Sequence, residues 1–441
     1  MIKSLLVANR GEIAVRIIRT CRDLDIRTVA VYSEADRDSL HVRLADRAVC
    51  VGPAAARESY LRMESLVSAA ALCGCDAVHP GVGFLAENPE FARRVNEAGM
   101  LWIGPSPEVI ELVGDKIRAK RTAEKLGIPG IPGAEIDPAD PDGAVRSAGE
   151  LGCPVILKAA SGGGGKGMRI VRRAEELPAR LGPAVSEAES AFGDGTVYLE
   201  KYFEDPRHVE VQIIARSGGE VHALGERDCT VQFNHQKLIE ESPSPGISPR
   251  LRAEMIRAAK TLLGDIGYSG AGTVEFLVAG GRSFFMEVNA RLQVEHPVTE
   301  MLTGVDLVRQ QILAAAEDRL EVGGDAGTAG GYALECRINA AGPGTVEQFI
   351  APGGFGVRVD THLYPGVRIP PYYDSLLAKV VVSGRDRAEG IARMKRALGE
   401  LAIEGVPTNL ALQREIVGGR TFGRGDFGTS TFDELLREGG K

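Results

Sequence analysis

The opening thirty-odd residues constrain the fold more than any other feature of the chain. SLLVANRGEIAVRIIRTCRDL reads as a short apolar strand, a glycine turn at Gly11 and a helix with Ile13, Ile17 and Ile18 on one face; TVAVYS is a second strand. Two strands joined through a helix run parallel, and a parallel sheet needs helices on both faces. The pattern returns at DAVHPG and MLWIGPS, so residues 1–114 are predicted to form a Rossmann-like domain of an α/β protein. The turn ANRGEIA lacks the three-glycine fingerprint that lets a dinucleotide pyrophosphate approach, which makes this domain a scaffold.

A chain of 441 residues exceeds what one hydrophobic core organises, so several domains around a cleft are expected. With 55 glycines, 44% hydrophobic and 25% charged residues, it belongs with ordered α/β proteins. A net charge of -8 argues against a nucleic-acid surface, which needs a basic stripe to displace counterions. The seven cysteines are odd in number and form no Cys-x-x-Cys pair, which fits a reducing compartment. Cys73 and Cys75, one residue apart and without partnering Cys/His pairs, read as buried filler. MIKSLLVANRGEIAVRII has too short an apolar run for a signal peptide or a span, so a cytoplasmic protein without membrane contact is expected.

A helix is predicted around Glu111 to Leu126, and the Pro- and Gly-dense segment GIPGIPGAEIDPADPDG then marks a boundary. Beyond it come a strand, a glycine loop and a strand in PVILKAASGGGGKGMRIVRR, strands at VYLEKYF and HVEVQII, and a helix from about residue 250. TVEFLV and SFFMEVN form a hairpin, and PVTEMLTGVDLVRQQILAAAE reads as one helix. A second linker, EVGGDAGTAGG, leads to a smaller α/β or α+β closing domain with a helix around Ile391 to Leu401. The expected division is 1–114, a central domain 115–325 with a mobile lid 131–203, and 326–441.

Gly162 to Gly167 formally satisfy G-x-G-x-x-G, but strands flank the loop on both sides, whereas a Rossmann fingerprint opens a helix. It is no Walker loop either, because Lys166 precedes Gly167 and not Ser or Thr. A glycine loop at a hairpin tip can fold over polyphosphate with bare N–H groups, and Lys158 on the preceding strand could reach the same phosphates. A solvent-exposed hairpin tip is the alternative.

The hairpin that follows carries the strongest constellation. With a turn at Gly280-Gly281-Arg282, Glu275 stands opposite Glu287. Directly opposed carboxylates repel, so something positive must lie between them: Mg²⁺ bound to a nucleotide, or a lysine salt bridge. The second strand continues in alternation, and if it stays extended Glu287, Asn289, Arg291, Gln293 and Glu295 share one face. Such a face suits a small oxyanion and its general base, with the adjacent Arg291 keeping Glu295 ionised; a half-exposed strand also alternates.

NRGEIAVRIIRTC, HPGVGFLAEN, SGGGGKGMR, RDCTVQFNHQK, EVNARLQVEHPVTE and ECRINA together resemble the biotin carboxylase family of ATP-grasp enzymes over essentially the whole chain. The resemblance implies a Rossmann-like N-terminal domain, an ATP-grasp central domain and a biotin carboxylase C-terminal domain. It implies that Lys116, Lys158, His208, Gln232, His235 and Lys237 hold ATP beneath the loop Gly163, Gly164, Gly165, Lys166 and Gly167, with Glu200, Lys201 and Phe203 beside the adenine. Glu275, Glu287 and Asn289 fall on the family's Mg²⁺ (or Mn²⁺) positions. Arg291, Gln293 and the backbone of Val294 fall on the bicarbonate pocket, Glu295 on the base, and Arg337 on the group facing the biotin ureido oxygen. The implied reaction carboxylates biotin on a separate carrier protein through carboxyphosphate, in a homodimer that serves a carboxyltransferase. Val82, Phe233-Asn234 and Ala341-Gly342 depart from residues many members carry, which bears on carrier docking. The competing readings are an ATP-grasp ligase that joins a carboxylate to an amine, and a non-catalytic nucleotide-binding relative; a full set of Glu287, Arg291, Glu295 and Arg337 speaks against the second, since a binding module needs no base.

Overall fold

The computed structural model describes residues 2–159, 168–192, 195–234, 236–323, 330–433 and 435. Strands β1 (Ser4–Val7), β2 (Arg27–Ser33), β3 (Arg47–Gly52), β4 (Ala77–His79) and β5 (Leu101–Trp102) form a five-stranded sheet in the order β3-β2-β1-β4-β5, every neighbouring pair parallel. The predicted helix after β1 spans Gly11–Asp23 and buries Ile13, Ile17 and Ile18.

The helix predicted around residues 111–126 is two helices, Pro107–Gly114 and Lys116–Lys125. Asp115 separates them, because its carboxylate accepts the N–H groups of Ile117 and Arg118 and so caps the second. Next comes a four-stranded antiparallel sheet, ordered β6-β9-β7-β8, from β6 (Gly133–Glu135), β7 (Val155–Ala159), β8 (Arg169–Val171) and β9 (Val197–Lys201). The helices Pro141–Leu151 and Leu177–Phe192 accompany it. The loop joining β7 to β8, with Gly163, Gly164, Gly165, Lys166 and Gly167, lies outside the described residues, as does His235.

The main sheet is antiparallel. It contains β10 (Arg207–Ala215), β11 (Val221–Phe233), β12 (Gln236–Ser242), β13 (Gly270–Ala279), β14 (Arg282–Asn289), β15 (Tyr332–Asn339), β18 (Val357–Thr361) and β20 (Leu376–Gly384), in the order β14-β13-β10-β11-β12-β15-β20-β18. Short ribbons pair β16 (Gly344–Thr345) with β19 (Arg368–Ile369), and β17 (Gln348–Ile350) with β21 (Ala402–Glu404). Strands from both sides of the second glycine-rich linker therefore share one sheet: β12 pairs with β15 through Glu240↔Glu335 and its neighbours. The single helix predicted after β14 is also two, His296–Thr303 and Leu307–Glu317. Gly304 at φ 70° ends the first, and the side chain of Asp306 caps the second.

The β13–β14 hairpin turns through two residues, Gly280 and Gly281, both at positive φ (56° and 72°), a loop whose twist matches that of the strands. Arg282 is not part of the turn, since it already pairs with Ala279. A bulge between Glu275 and Phe276 then shifts the register by one residue and brings Glu275 opposite Glu287. Turn and bulge together set which carboxylates meet. Replacing Gly281 by Val puts a β-branched residue in left-handed backbone and is expected to cost on the order of 1–2 kcal/mol. Calorimetry of the ligand-free protein should show a lower Tm, and an unchanged Tm would contradict the role given to this turn.

Candidate active site

The three sheets border a cleft of about 970 Å³. Each expected site residue that lies among the described residues lines it. On its floor, Lys237 of β12 extends its ammonium between three glutamates: Glu210 of β10 at 2.7 Å, Glu275 of β13 at 2.9 Å and Glu295 at 2.7 Å. Burial opposes a charged lysine, but Cys229, Glu210, Glu275 and Glu295 hold Lys237 well above its ordinary value. Glu210, Cys229 and Glu295 also come close enough together to suggest a cation site, yet the ammonium of Lys237 already sits against both carboxylates of that cluster.

The opposed carboxylates of the hairpin take separate partners. Glu275 accepts from His208 Nε2 at 2.6 Å, Asn289 Nδ2 at 2.8 Å and Lys237. Glu287 pairs with Lys116 Nζ at 3.1 Å. Side-chain cations thus supply the positive charge that the sequence demanded. The oxygen-rich donor set of Glu275, Glu287 and Asn289 also suits a hard cation such as Mg²⁺.

The alternating face expected from Glu287 to Glu295 does not continue as a strand. β14 ends at Asn289, and Glu295 occupies the N-cap position of the helix His296–Thr303 at φ −82° and ψ 13°. The backbone leaves the extended form because side chains from elsewhere take its polar groups. Glu87 accepts from Ala290 N at 3.0 Å, and Lys379 Nζ donates to Val294 O at 2.8 Å. Gln293 donates to Thr273 Oγ1 at 2.9 Å. The five residues still converge on the cleft, through an irregular strip and not through a shared strand face.

The expected pairing of Arg291 with Glu295 is also corrected. Arg291 donates Nε to Glu87 at 2.9 Å and a terminal nitrogen to Gln293 Oε1 at 2.9 Å. The cations on Glu295 are Lys237 and Arg337, the latter at 2.8 Å. Burial favours a neutral Glu295, but Lys237, Arg337 and Arg227 outweigh it and hold the carboxyl well below the usual glutamate range.

At the other end of the cleft, Lys158 and Lys120 both pair with the buried carboxylate of Glu200. Burial and the neighbouring lysines bring Lys158 down to about 7 and Lys120 down to about 8. Lys201 donates to Gly152 O at 2.6 Å, Phe203 stacks on Phe284, and Gln232 Nε2 lies 2.7 Å from His208 Nδ1. Sequence reasoning missed Glu87, Lys120, Glu210, Arg227 and Lys379. One signal was available for Glu210, a charged residue set between Val209 and Val211; Lys120 resembles any solvated helix residue.

Residues 1–110 match the family described as "Biotin carboxylase, N-terminal domain", residues 115–322 "Carbamoyl-phosphate synthase L chain, ATP binding domain", and residues 335–434 "Biotin carboxylase C-terminal domain". The chain is 50% identical to Biotin carboxylase 1 of Bacillus subtilis, over 99% of this chain and 100% of that one. It is 48% identical to the biotin carboxylase of Pseudomonas aeruginosa, over 96% of each chain. Among solved structures, a biotin carboxylase complex from Campylobacter jejuni superposes with a TM-score of 0.95 at 42% identity, covering 98% of this chain and 99% of that one. The biotin carboxylase domain of Hydrogenobacter thermophilus 2-oxoglutarate carboxylase, a dimer in complex with MgADP, ADP and bicarbonate, gives 0.94 at 44% identity, covering 100% and 99%.

The charge geometry predicts an order of stability costs. Lys237→Met leaves buried carboxylates uncompensated and is expected to cost about 3–5 kcal/mol. Arg291→Met breaks a pair whose Glu87 side chain is 40% exposed and is expected to cost about 1 kcal/mol or less. Denaturant unfolding of both variants checks this, and equal costs would contradict it.

Proposed function

The chain belongs to the biotin carboxylase family of ATP-grasp enzymes, and from that premise we propose how the residues of its cleft divide the work. The reaction is the ATP-dependent carboxylation of biotin by bicarbonate. The observation that carries the assignment is the strip Arg291–Glu295, which sets a guanidinium, an amide and a buried carboxylate along one wall of the cleft, facing Lys237 and Arg337.

Arg291 and Gln293 bind bicarbonate, with the backbone of Val294, and Glu295 takes its proton. A carboxylate held by two cations at 2.7 and 2.8 Å is a weak base. It becomes an adequate one as Lys237 turns toward the transferring phosphoryl group and Arg337 toward the biotin ureido oxygen, so that base strength rises once the substrates are in place. Deprotonated bicarbonate attacks the γ-phosphorus of ATP, the bond to the β,γ-bridging oxygen breaks, and carboxyphosphate and ADP result. Lys116, Lys158, His208, Gln232 and Lys237 offset the charge on the phosphates, aided by His235, Lys166 and the glycines 163, 164, 165 and 167. Glu200, Lys201 and Phe203 border the adenine. Glu275, Glu287 and Asn289 would hold Mg²⁺ or Mn²⁺, which when bound neutralises triphosphate charge. Carboxyphosphate releases CO₂ and phosphate; the phosphate takes the ureido N–H proton of biotin, Arg337 stabilises the oxygen that becomes negative, and the freed nitrogen attacks CO₂ to give carboxybiotin. The lid 131–203 excludes water from the labile intermediate.

The biotin comes on a carrier protein, and a carboxyltransferase uses the product. The one Met-Lys pair in a helix, Met394-Lys395, lies within Arg387–Glu400 with Met394 fully buried, which is no place for an attached cofactor. A homodimer acting in the cytoplasm completes the proposal; no helix of the described residues is long and apolar enough to cross a membrane.

Purified protein should hydrolyse ATP slowly, only with bicarbonate, and faster with free biotin. A requirement for an amine in place of bicarbonate would indicate a different ligase, and no turnover a binding protein. Glu295→Gln should lower bicarbonate-dependent turnover by a factor on the order of 10² or more, with little change in ATP affinity. Arg291→Ala should act mainly on the KM for bicarbonate. Near-parental turnover of Glu295→Gln would place the base elsewhere.

A further inference from the structure

Beside Arg337 lies a second buried acid for which the mechanism has no use. Glu240 of β12 and Glu335 of β15 are directly opposed cross-strand partners, and both are fully buried. Arg337, two residues further along β15, donates Nε to Glu240 Oε1 at 2.6 Å, and its terminal nitrogen, which donates to Glu295 Oε2, lies 2.5 Å from the same Glu240 oxygen. The other oxygen of Glu240 and both oxygens of Glu335 are buried without a hydrogen-bond partner. Two ionised carboxylates in that arrangement would repel each other and leave three charged oxygens with no donor. A single proton resolves most of this. As the O–H of Glu335, opposite Glu240 across the strand pair, it would offer Glu240 Oε2 a donor, satisfying two of the three atoms and leaving only a neutral carbonyl oxygen unpaired.

The charged groups around Glu335 fit such an arrangement. Glu240 faces it from β12, Lys379 from β20, Arg337 from its own strand and Glu295 from the start of the covering helix. Lys379 is committed to Val294 O and to Glu12 at 3.1 Å, and Arg337 to Glu240 and Glu295. On the covering helix, His296 is kept neutral by burial and Glu300 is paired with Arg16 and Arg358. Burial, and then Glu240, push Glu335 well above the usual glutamate range.

We propose that Glu335 carries a proton at neutral pH, donates it to Glu240 Oε2, and as a positioning residue aims Arg337 across the cleft at Glu295. With Glu335 neutral, the guanidinium divides between Glu240 and Glu295 and stays within reach of a bound substrate. With Glu335 ionised, a second negative charge would draw it back onto the sheet. The aiming role rests on the reading of Arg337 as the group facing biotin; the proton itself does not.

Three measurements test this. In the infrared spectrum, the protein should show a carboxylic-acid C=O band that shifts in D₂O and disappears in both Glu335→Gln and Glu335→Met. The Tm of Glu335→Gln minus that of the parent should grow between pH 5 and pH 8.5. The sign follows from linkage, because a carboxyl whose folded value lies above its unfolded 4.5 removes stability as pH rises toward the folded value. In kinetics, Glu335→Met should lower the biotin-dependent kcat at least fivefold with the KM for ATP within twofold, and Glu335→Gln, whose amide N–H can replace the acid O–H, should recover most of that loss. A Tm difference independent of pH, with no band lost, would show Glu335 ionised and overturn the proposal. A band that is lost while Glu335→Met keeps the parental kcat would overturn the aiming role. Absence of any bicarbonate- and biotin-dependent turnover in the parent would overturn the active-site reading and the aiming role with it, while the spectrum and the pH dependence of Tm would still decide where the proton lies.

Discussion

One ammonium holds the centre of this molecule together. Lys237 reaches from β12 to carboxylates on β10, on β13 and at the start of the helix His296–Thr303. Removing these charges from water is costly, and the cost is offset only while all four groups keep their geometry. That geometry depends on register, since a slip of one residue in any of the strands would turn its charged residue to the opposite face. The neutralisation is also incomplete. Burial, and then Glu295, raise Glu210 to about 7 even with Lys237 and Arg227 beside it. Arg227 on Glu210, His208 on Glu275 and Arg337 on Glu295 share the compensation with Lys237, so the acids of the floor depend on cations from several strands.

What the sequence made legible was whatever depends on local periodicity. The parallel N-terminal sheet followed from apolar runs and helical spacing, and the opposition of Glu275 and Glu287 from two strands and a glycine pair. The hairpin register came out as expected by a different route, because a two-residue turn and a bulge together give the same pairing as the three-residue turn that was expected. Two predicted helices each proved to be a pair because a capping aspartate competes for backbone N–H groups: Asp115 in one case and Asp306 in the other. Apolar spacing runs through such a break without registering it.

The strip after β14 shows what local pattern cannot reach. Polar and apolar residues alternate through Glu295 as in a strand, yet a strand needs a neighbour to pair with, and the partner of this strip is a set of side chains. Glu87 comes from about 200 positions earlier and Lys379 from 85 positions later. Neither contact leaves a periodic signal, so the backbone departs from the predicted form while the side chains still reach the expected cleft.

Those same contacts explain how a site assembled from distant segments can be rigid. Val294 O is held by Lys379, Lys379 is paired with Glu12 on the first helix, and Arg16 on that helix is paired with Glu300, which Arg358 of β18 also grips. The N-terminal sheet, the main sheet and its C-terminal strands therefore meet in one ionic chain that ends on the backbone next to Glu295. Each link is buried on at least one side, so loosening any of them leaves a charge poorly compensated, and the cost opposes independent movement of the three regions. The residues that would bind an anion sit on backbone fixed from both sides, whereas the four-stranded sheet formed by β6 to β9 lies outside this chain of contacts. A fixed floor beside a separately built sheet is what the proposed lid would need to admit substrates before water is excluded, and the fixity of the floor follows from where the buried charges are paired.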